Sequence, residues 1–264
     1  MAYESDLRGR TIIDDGNYRQ YAASSATPDG LSRGYIPRDY AAFPEGVFAA
    51  PFPLPTIPRS EWRDRIEQMD REERWPKHHK QRAGFPSLDQ NGTNYCWINA
   101  PVQCIHYVRA MQGEPHVALS PASVGAKIKN YKNVGGWGSQ GLQYMTEHGV
   151  APVELWPANA IERKYDNEAS RAARVQYVVD EWWELKDRSF EQLMTCLLLG
   201  YPVAIGLNWW GHEVTACAAA VRGGDYLVDI DNSWGEDWEQ GGHALLSESK
   251  ATPDDAVAPR VVLT

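Results

Sequence analysis

The stretch Gln90-Asn91-Gly92-Thr93-Asn94-Tyr95-Cys96-Trp97 decides how this chain is read, together with Gly211-His212 and Asn232-Ser233-Trp234-Gly235 far downstream. Cysteine, histidine and asparagine appear in that order, with a glutamine six residues before the cysteine and a tryptophan directly after it. A thiol attacks a carbonyl as thiolate, so it needs a base beside it, a group that orients the base, and donors for the oxyanion it creates. Cys96 as nucleophile, His212 as base, Asn232 behind the base and Gln90 over the oxyanion would supply those four parts. The expected chemistry is acyl transfer through a thiol.

Local patterning supports that placement. Trp97, Val102, Ile105, Val108 and Met111 read as a largely buried helix that Cys96 opens and that Gly113 and Pro115 stop. A sulfur there lies against unpaired backbone N–H groups and the positive end of the helix dipole. With an imidazolium nearby, its pKa can fall to roughly 3.5–7.5. His212 is expected to start a strand facing the thiol, and Asn232 to end the next strand, where its amide oxygen fixes the histidine tautomer.

These segments resemble the papain-like cysteine peptidases. The resemblance rests on Gln90 ahead of Cys96-Trp97, on the box Asn232-Ser233-Trp234-Gly235-Glu236-Asp237-Trp238 with Gly241-Gly242, and on His212 before the small-residue run Val214-Thr215-Ala216-Cys217-Ala218. Leu119-Ser120-Pro121, Gly149-Val150 and Trp156-Pro157 are similar to further family segments, so that residues 83–248 are covered. The family's substrate groove implies roles for Gly135, Gly136 and Trp137, with Trp234 and Gly211 beside the histidine. The implied fold is α+β with two lobes: a helical lobe carrying the nucleophile helix and a β-sheet or barrel-like lobe, plus an extended N-terminal arm.

The sequence also departs from the family. Thr93 and Asn133-Val134 stand where a disulfide pair is usual, and Tyr95 replaces a small residue before the nucleophile. Pro101 sits inside the nucleophile helix, where it removes a backbone hydrogen bond. The first 80 residues lack the family's usual inhibitory propeptide pattern. Gly211 puts no charge just before His212, which points to a small or hydrophobic substrate side chain.

Composition bounds the alternatives. The 264 residues, 43% hydrophobic and 23% charged, can bury a sizeable core. A net charge of −9 argues against a nucleic-acid partner, which needs a basic footprint. No stretch approaches the roughly 20 apolar residues of a membrane span, and the charged segment Met1 to Arg10 carries no visible signal peptide. A cytoplasmic setting, or one within an assembly such as a virion, is expected. Cys104, Cys196 and Cys217 lie in apolar runs with no Cys-x-x-Cys pair, so no metal or other cofactor is expected.

The chain divides into residues 1–80 and a catalytic domain over 81–264, with the helical lobe over about 90–200 and the β lobe over about 201–250. Residues 1–58 end in the apolar, proline-rich run Phe48 to Pro58, which forbids helix and central strand. Two readings stand for them: a linker, or an arm laid on this protein or on a protein partner. A helix follows near 60–74, with Trp62, Ile66 and Met69 on one face. Pro76 is expected to end it, Lys77-His78-His79-Lys80 to form a solvated basic turn, and His106 and His243 to be structural. The polypeptide hydrolase reading has one alternative of a different class: a papain-fold structural or interaction protein of a larger assembly, for example a viral particle, with idle or secondary catalysis.

Overall fold

The computed structural model describes residues 2–22, 31–44 and 53–263. Of the proline-rich run, residues 48–52 therefore lie outside the described residues. The first α-helix among the described residues, α1 (Trp62–Arg71), buries Trp62, Ile66 and Met69, the stripe that the i, i+4, i+7 spacing predicts. Pro76 does not merely end a helix. It occupies the first turn of α2 (Pro76–Ala83), where its missing N–H costs nothing. The expected basic turn is thus helical, and Lys80 within it is buried. Its Nζ donates to Asp231 Oδ2 at 2.8 Å and to Ser87 Oγ at 2.7 Å.

Helix α3 (Cys96–Met111), which the expected nucleophile opens, is buried along nearly its whole length and continues through Pro101. Around it pack α4 (Ala122–Ile128) and α5 (Gly138–His148), followed by α6 (Glu168–Arg174), which a capping box from Asn167 starts. One apolar cluster joins Trp97, Ile98, Val102 and Ile105 of α3 to Leu142 and Met145 of α5.

The second cluster lies on the sheet. Strands β1 (Ile12–Ile13), β2 (Val179–Glu184), β3 (Val203–Leu207), β4 (His212–Arg222), β5 (Asp225–Asp231), β6 (His243–Ser247) and β7 (Asp255–Val262) form one sheet among the described residues, in the order β1-β6-β5-β4-β3-β7-β2. Helix α7 (Phe190–Leu198) covers one face, and α8 (Glu248–Ala251) links β6 to β7. The sheet reaches beyond the 201–250 segment expected to be β, because β2 and β7 pair with each other and β7 with β3. Residues 179–184 carry two adjacent tryptophans between acids, and 255–262 hold an internal proline, so neither shows clean alternation.

The N-terminal segment lies on the protein's own surface. Ile12 and Ile13 pair in parallel with Leu245 and Leu246, and Ile13 is fully buried. No helix among the described residues is long and apolar enough to cross a membrane.

Candidate active site

Helix α3 and strands β4 and β5 bring the sequence-predicted residues into one place. Cys96 sits in the first turn of α3, His212 opens β4, and Asn232 follows the last residue of β5. All three are buried, as is Gln90. His212 Nε2 meets Asn232 Oδ1 at 2.7 Å, and the same oxygen accepts from the Ser233 N–H at 2.8 Å. An amide oxygen only accepts, so Nε2 carries the proton and Nδ1 presents its lone pair. Trp234 stacks on the imidazole with ring centroids 4.4 Å apart, and Trp210 meets it edge-on at 5.3 Å. Together the two indoles shield the His–Asn bond from water.

Gln90 is held from both ends. Ser233 Oγ donates to its Oε1 at 2.7 Å, and its backbone N–H donates to Ser233 O at 2.9 Å. That fixes which end of the amide carries the donors. Nε2 donates to Thr93 O at 2.7 Å and to Ser32 O at 2.9 Å. Ser32 O also accepts from Trp234 Nε1 at 2.9 Å.

Ser32 belongs to the N-terminal arm, and the arm fills the rest of the groove. Gly136, expected to bind an extended peptide, donates its N–H to Gly34 O at 3.0 Å and accepts from the Ile36 N–H at 2.8 Å. Tyr35 and Gly136 thereby form a parallel bridge. Gly211 O accepts the Tyr35 N–H at 3.2 Å and the Gly34 N–H at 3.4 Å. Gly135 faces the Gly34 carbonyl so closely that any Cβ there would overlap it. Trp137 lines the far end of the groove against Phe43, with centroids 5.0 Å apart. The segment 32–36 thus uses the same glycines and donors that the sequence assigns to a substrate.

The occupied groove sets the state of the dyad. Burial pushes the Cys96 thiol up, with the nearby Glu213 carboxyl adding to the shift, although the N–H groups of Glu213, Trp97 and Tyr35 approach the sulfur. Burial likewise pushes His212 down to about 3 against the hydrogen bond to Asn232. His212 Nδ1 has no hydrogen-bond partner among the described residues. Thiol and imidazole are therefore both neutral and unlinked in this form. All four cysteines are free and buried.

The fold can now be compared with known proteins. A chain from a structural study of the limited antibody cross-reactivity between the mite allergens Blo t 1 and Der p 1 matches with a TM-score of 0.64 at 17% identity, over 91% of this chain and 85% of that one. Xylellain, a cysteine protease from Xylella fastidiosa, matches with a TM-score of 0.56 at 14% identity, over 100% of this chain and 98% of that one. The fold is that of the papain-like cysteine proteases. Digestive procathepsin L 3 of Tenebrio molitor larval midgut matches as well, with a TM-score of 0.55 at 14% identity over 92% of this chain and 77% of that one. No protein-family model and no curated protein matches the sequence.

Three groups at the papain-like groove carry no sequence signal. Tyr35 and Arg38 of the arm look like ordinary residues of a polar, irregular segment. Glu213 follows the histidine inside a strand, where an acid reads as solvent-facing, yet it is 1% exposed, and only the Gly138 N–H approaches its carboxyl, short of good hydrogen-bond geometry among the described residues. Only cross-strand register reveals it.

Proposed function

We propose that this protein hydrolyses peptide bonds through Cys96, His212, Asn232 and Gln90, and that the arm 32–36 holds it latent. The observation that carries this reading is the Nε2-protonated His212, bonded at 2.7 Å to Asn232 beneath Trp234, with Nδ1 left as an available base. Once the arm leaves the groove, water and substrate reach both side chains and the burial that keeps them neutral is relieved.

In the reaction, the Cys96 proton passes to His212 Nδ1 and the thiolate sulfur attacks the substrate carbonyl carbon. The resulting oxyanion takes the Gln90 Nε2–H, freed from Ser32 O, together with the Cys96 backbone N–H. His212 returns the proton to the departing amine as the C–N bond breaks, leaving a thioester on Cys96. A water that gives its proton to His212 then releases the acid and restores the thiol. Asn232 stabilises the imidazolium at both stages.

The test uses the full chain with Tyr35→Ala and Arg38→Ala, which remove the buried Tyr35 ring and the buried Arg38 side chain from the stretch that crosses the groove. That protein is expected to be labelled at Cys96 by an epoxysuccinyl probe and to cleave an unstructured polypeptide, and Cys96→Ser removes both activities. A folded double variant that neither labels nor cleaves overturns the reading and leaves a papain-fold protein with idle chemistry.

A further inference from the structure

The floor of the groove beside Gly136 has an unusual composition. In the sheet, Gly206 of β3 stands directly opposite Glu213 of β4 on one side and Asp255 of β7 on the other. Residues in register across antiparallel strands project to the same face. The row therefore reads carboxyl, nothing, carboxyl. The Tyr35 ring lies in the gap, so close over Gly206 that a Cβ there would overlap it.

The ring fits the gap, but its polar end is not satisfied. Tyr35 is 5% exposed, and its hydroxyl has no hydrogen-bond partner among the described residues. The backbone N–H groups of Gly138 and Ser139, at the start of α5, approach the Glu213 and Asp255 carboxyls, yet neither Glu213 oxygen nor Asp255 Oδ2 reaches good hydrogen-bond geometry with a described group. A buried donor and three buried acceptor atoms thus lie around one space without bonding one another, and a buried polar group left unsatisfied costs about 1–3 kcal/mol. Asp255 Oδ1 does have partners, and they come from the same arm. Arg38 Nη1 approaches it at 3.2 Å and pairs more closely with Glu184 Oε1 of β2, while the Tyr40 hydroxyl lies at 3.5 Å. The Arg38 side chain is only 4% exposed. When the arm leaves, Glu213, Asp255 and Glu184 lose the aromatic cover and the cation together.

We infer that this pocket is a subsite for a basic substrate side chain, arginine above lysine, at the position that pairs with Gly136. This deepens the hydrolase reading and rests on it. A guanidinium offers five donors in a planar fork and can bond Glu213 and Asp255 at once, as the tyrosine hydroxyl does not. Missing atoms at Gly206 leave room for the flat group between the two carboxyls. Burial raises the Glu213 carboxyl well above its usual range, and neighbouring Asp255 adds to the shift, so the vacated pocket is the kind of site that a cation relieves. The pocket thus departs from the small or hydrophobic preference that Gly211 alone implies.

Binding tests this independently of catalysis. The full chain carrying Cys96→Ala, Tyr35→Ala and Arg38→Ala is titrated with acetylated tripeptide amides that differ only at the residue facing Gly136. Arginine is expected to bind at least tenfold tighter than leucine, with lysine between them, and Glu213→Gln or Asp255→Asn should reduce that ratio to about twofold or less. Equal or tighter binding of leucine, no measurable binding of any peptide, or an arginine preference that survives both substitutions overturns the subsite. If the triple variant is not folded, the same ratio is read as kcat/KM in the Tyr35→Ala chain, with the same outcomes. Failure of the hydrolase reading shows separately, as arginine-selective binding by a protein whose Cys96-intact form never cleaves.

Discussion

His212 Nε2 lies 2.7 Å from Asn232 Oδ1 while Nδ1 of the same ring has no hydrogen-bond partner among the described residues, so the ring is oriented with one lone pair uncommitted. The orientation comes from the sheet: His212 opens β4 and Asn232 follows the end of β5, and these neighbouring strands pair up to Thr215 and Asp231. Trp234 closes over the ring, and the Ser233 N–H fixes the amide oxygen from the other side. Geometry is prepared, and access is withheld.

Asn232→Ala in the arm-opened background therefore reduces kcat and leaves KM little changed. A hydrogen bond to a charged group contributes about 1.5–3 kcal/mol, which corresponds to a loss of about 10- to 160-fold. Steady-state kinetics on a peptide substrate measure the split. A rise in KM with kcat intact would place Asn232 in substrate binding instead.

In the intact chain the thiols should be silent. Cys96 is pushed up by burial, and Cys104, Cys196 and Cys217 are buried as well. Iodoacetamide at neutral pH is expected to label none of the four within the time that labels all four in denaturant. Tyr35→Ala should release Cys96 first, because the arm covers it while the other three lie in the packed interior. Peptide mapping of the labelled site decides this, and first labelling at Cys104 or Cys196 would count against arm release.

Much of this site could be read from residue order, and part of it could not. Cys96, His212, Asn232 and Gln90 lie at element boundaries that glycine, proline and apolar periodicity mark, so their spacing is informative. Gly206, Glu213 and Asp255 become a unit only through cross-strand register, which no single segment encodes. Lys80 was hidden for a similar reason. Its basic neighbours suggest solvent, while its buried partner Asp231 lies 151 residues away. The arm crossing likewise depends on where Gly34 docks, a long-range contact that an irregular segment does not announce.

Gly206→Val tests the arm from beneath, with no substitution in the arm or at the proposed catalytic residues. A side chain at that position must displace the Tyr35 ring. Forcing a side chain into a packed site typically costs about 1–3 kcal/mol, here borne by the closed form. The expected result is faster labelling of Cys96 in an otherwise folded protein, with weaker binding of arginine peptides because the gap is filled. Unchanged labelling would mean that Tyr35 does not hold the arm.

The pH dependence of stability follows from histidines in opposite environments. Burial alone would lower His243, but Asp231 and a bond to Asp229 carry it up to about 10. A group raised in the fold stabilises fully below its unfolded value of about 6.5, and this contribution is lost as pH rises toward about 10. His106 and His212 are both lowered to about 3, chiefly by burial, so each favours the fold above about 6.5 and costs stability as pH falls. Below about 4, Asp229 and Asp231 add to the acid loss: burial opposes their charge, but Lys77, Lys80 and His243 hold both carboxyls below the usual range. Denaturant unfolding across pH 3–10 should therefore give a maximum near neutrality, about 6.5–7. In His243→Asn the decline between about 7 and 8.5 should flatten while the acid decline remains; above about 8.5 the four buried thiols, all raised by burial, add their own loss as the unfolded thiols ionise. A decline below about 8.5 that survives this substitution would place its origin in another group.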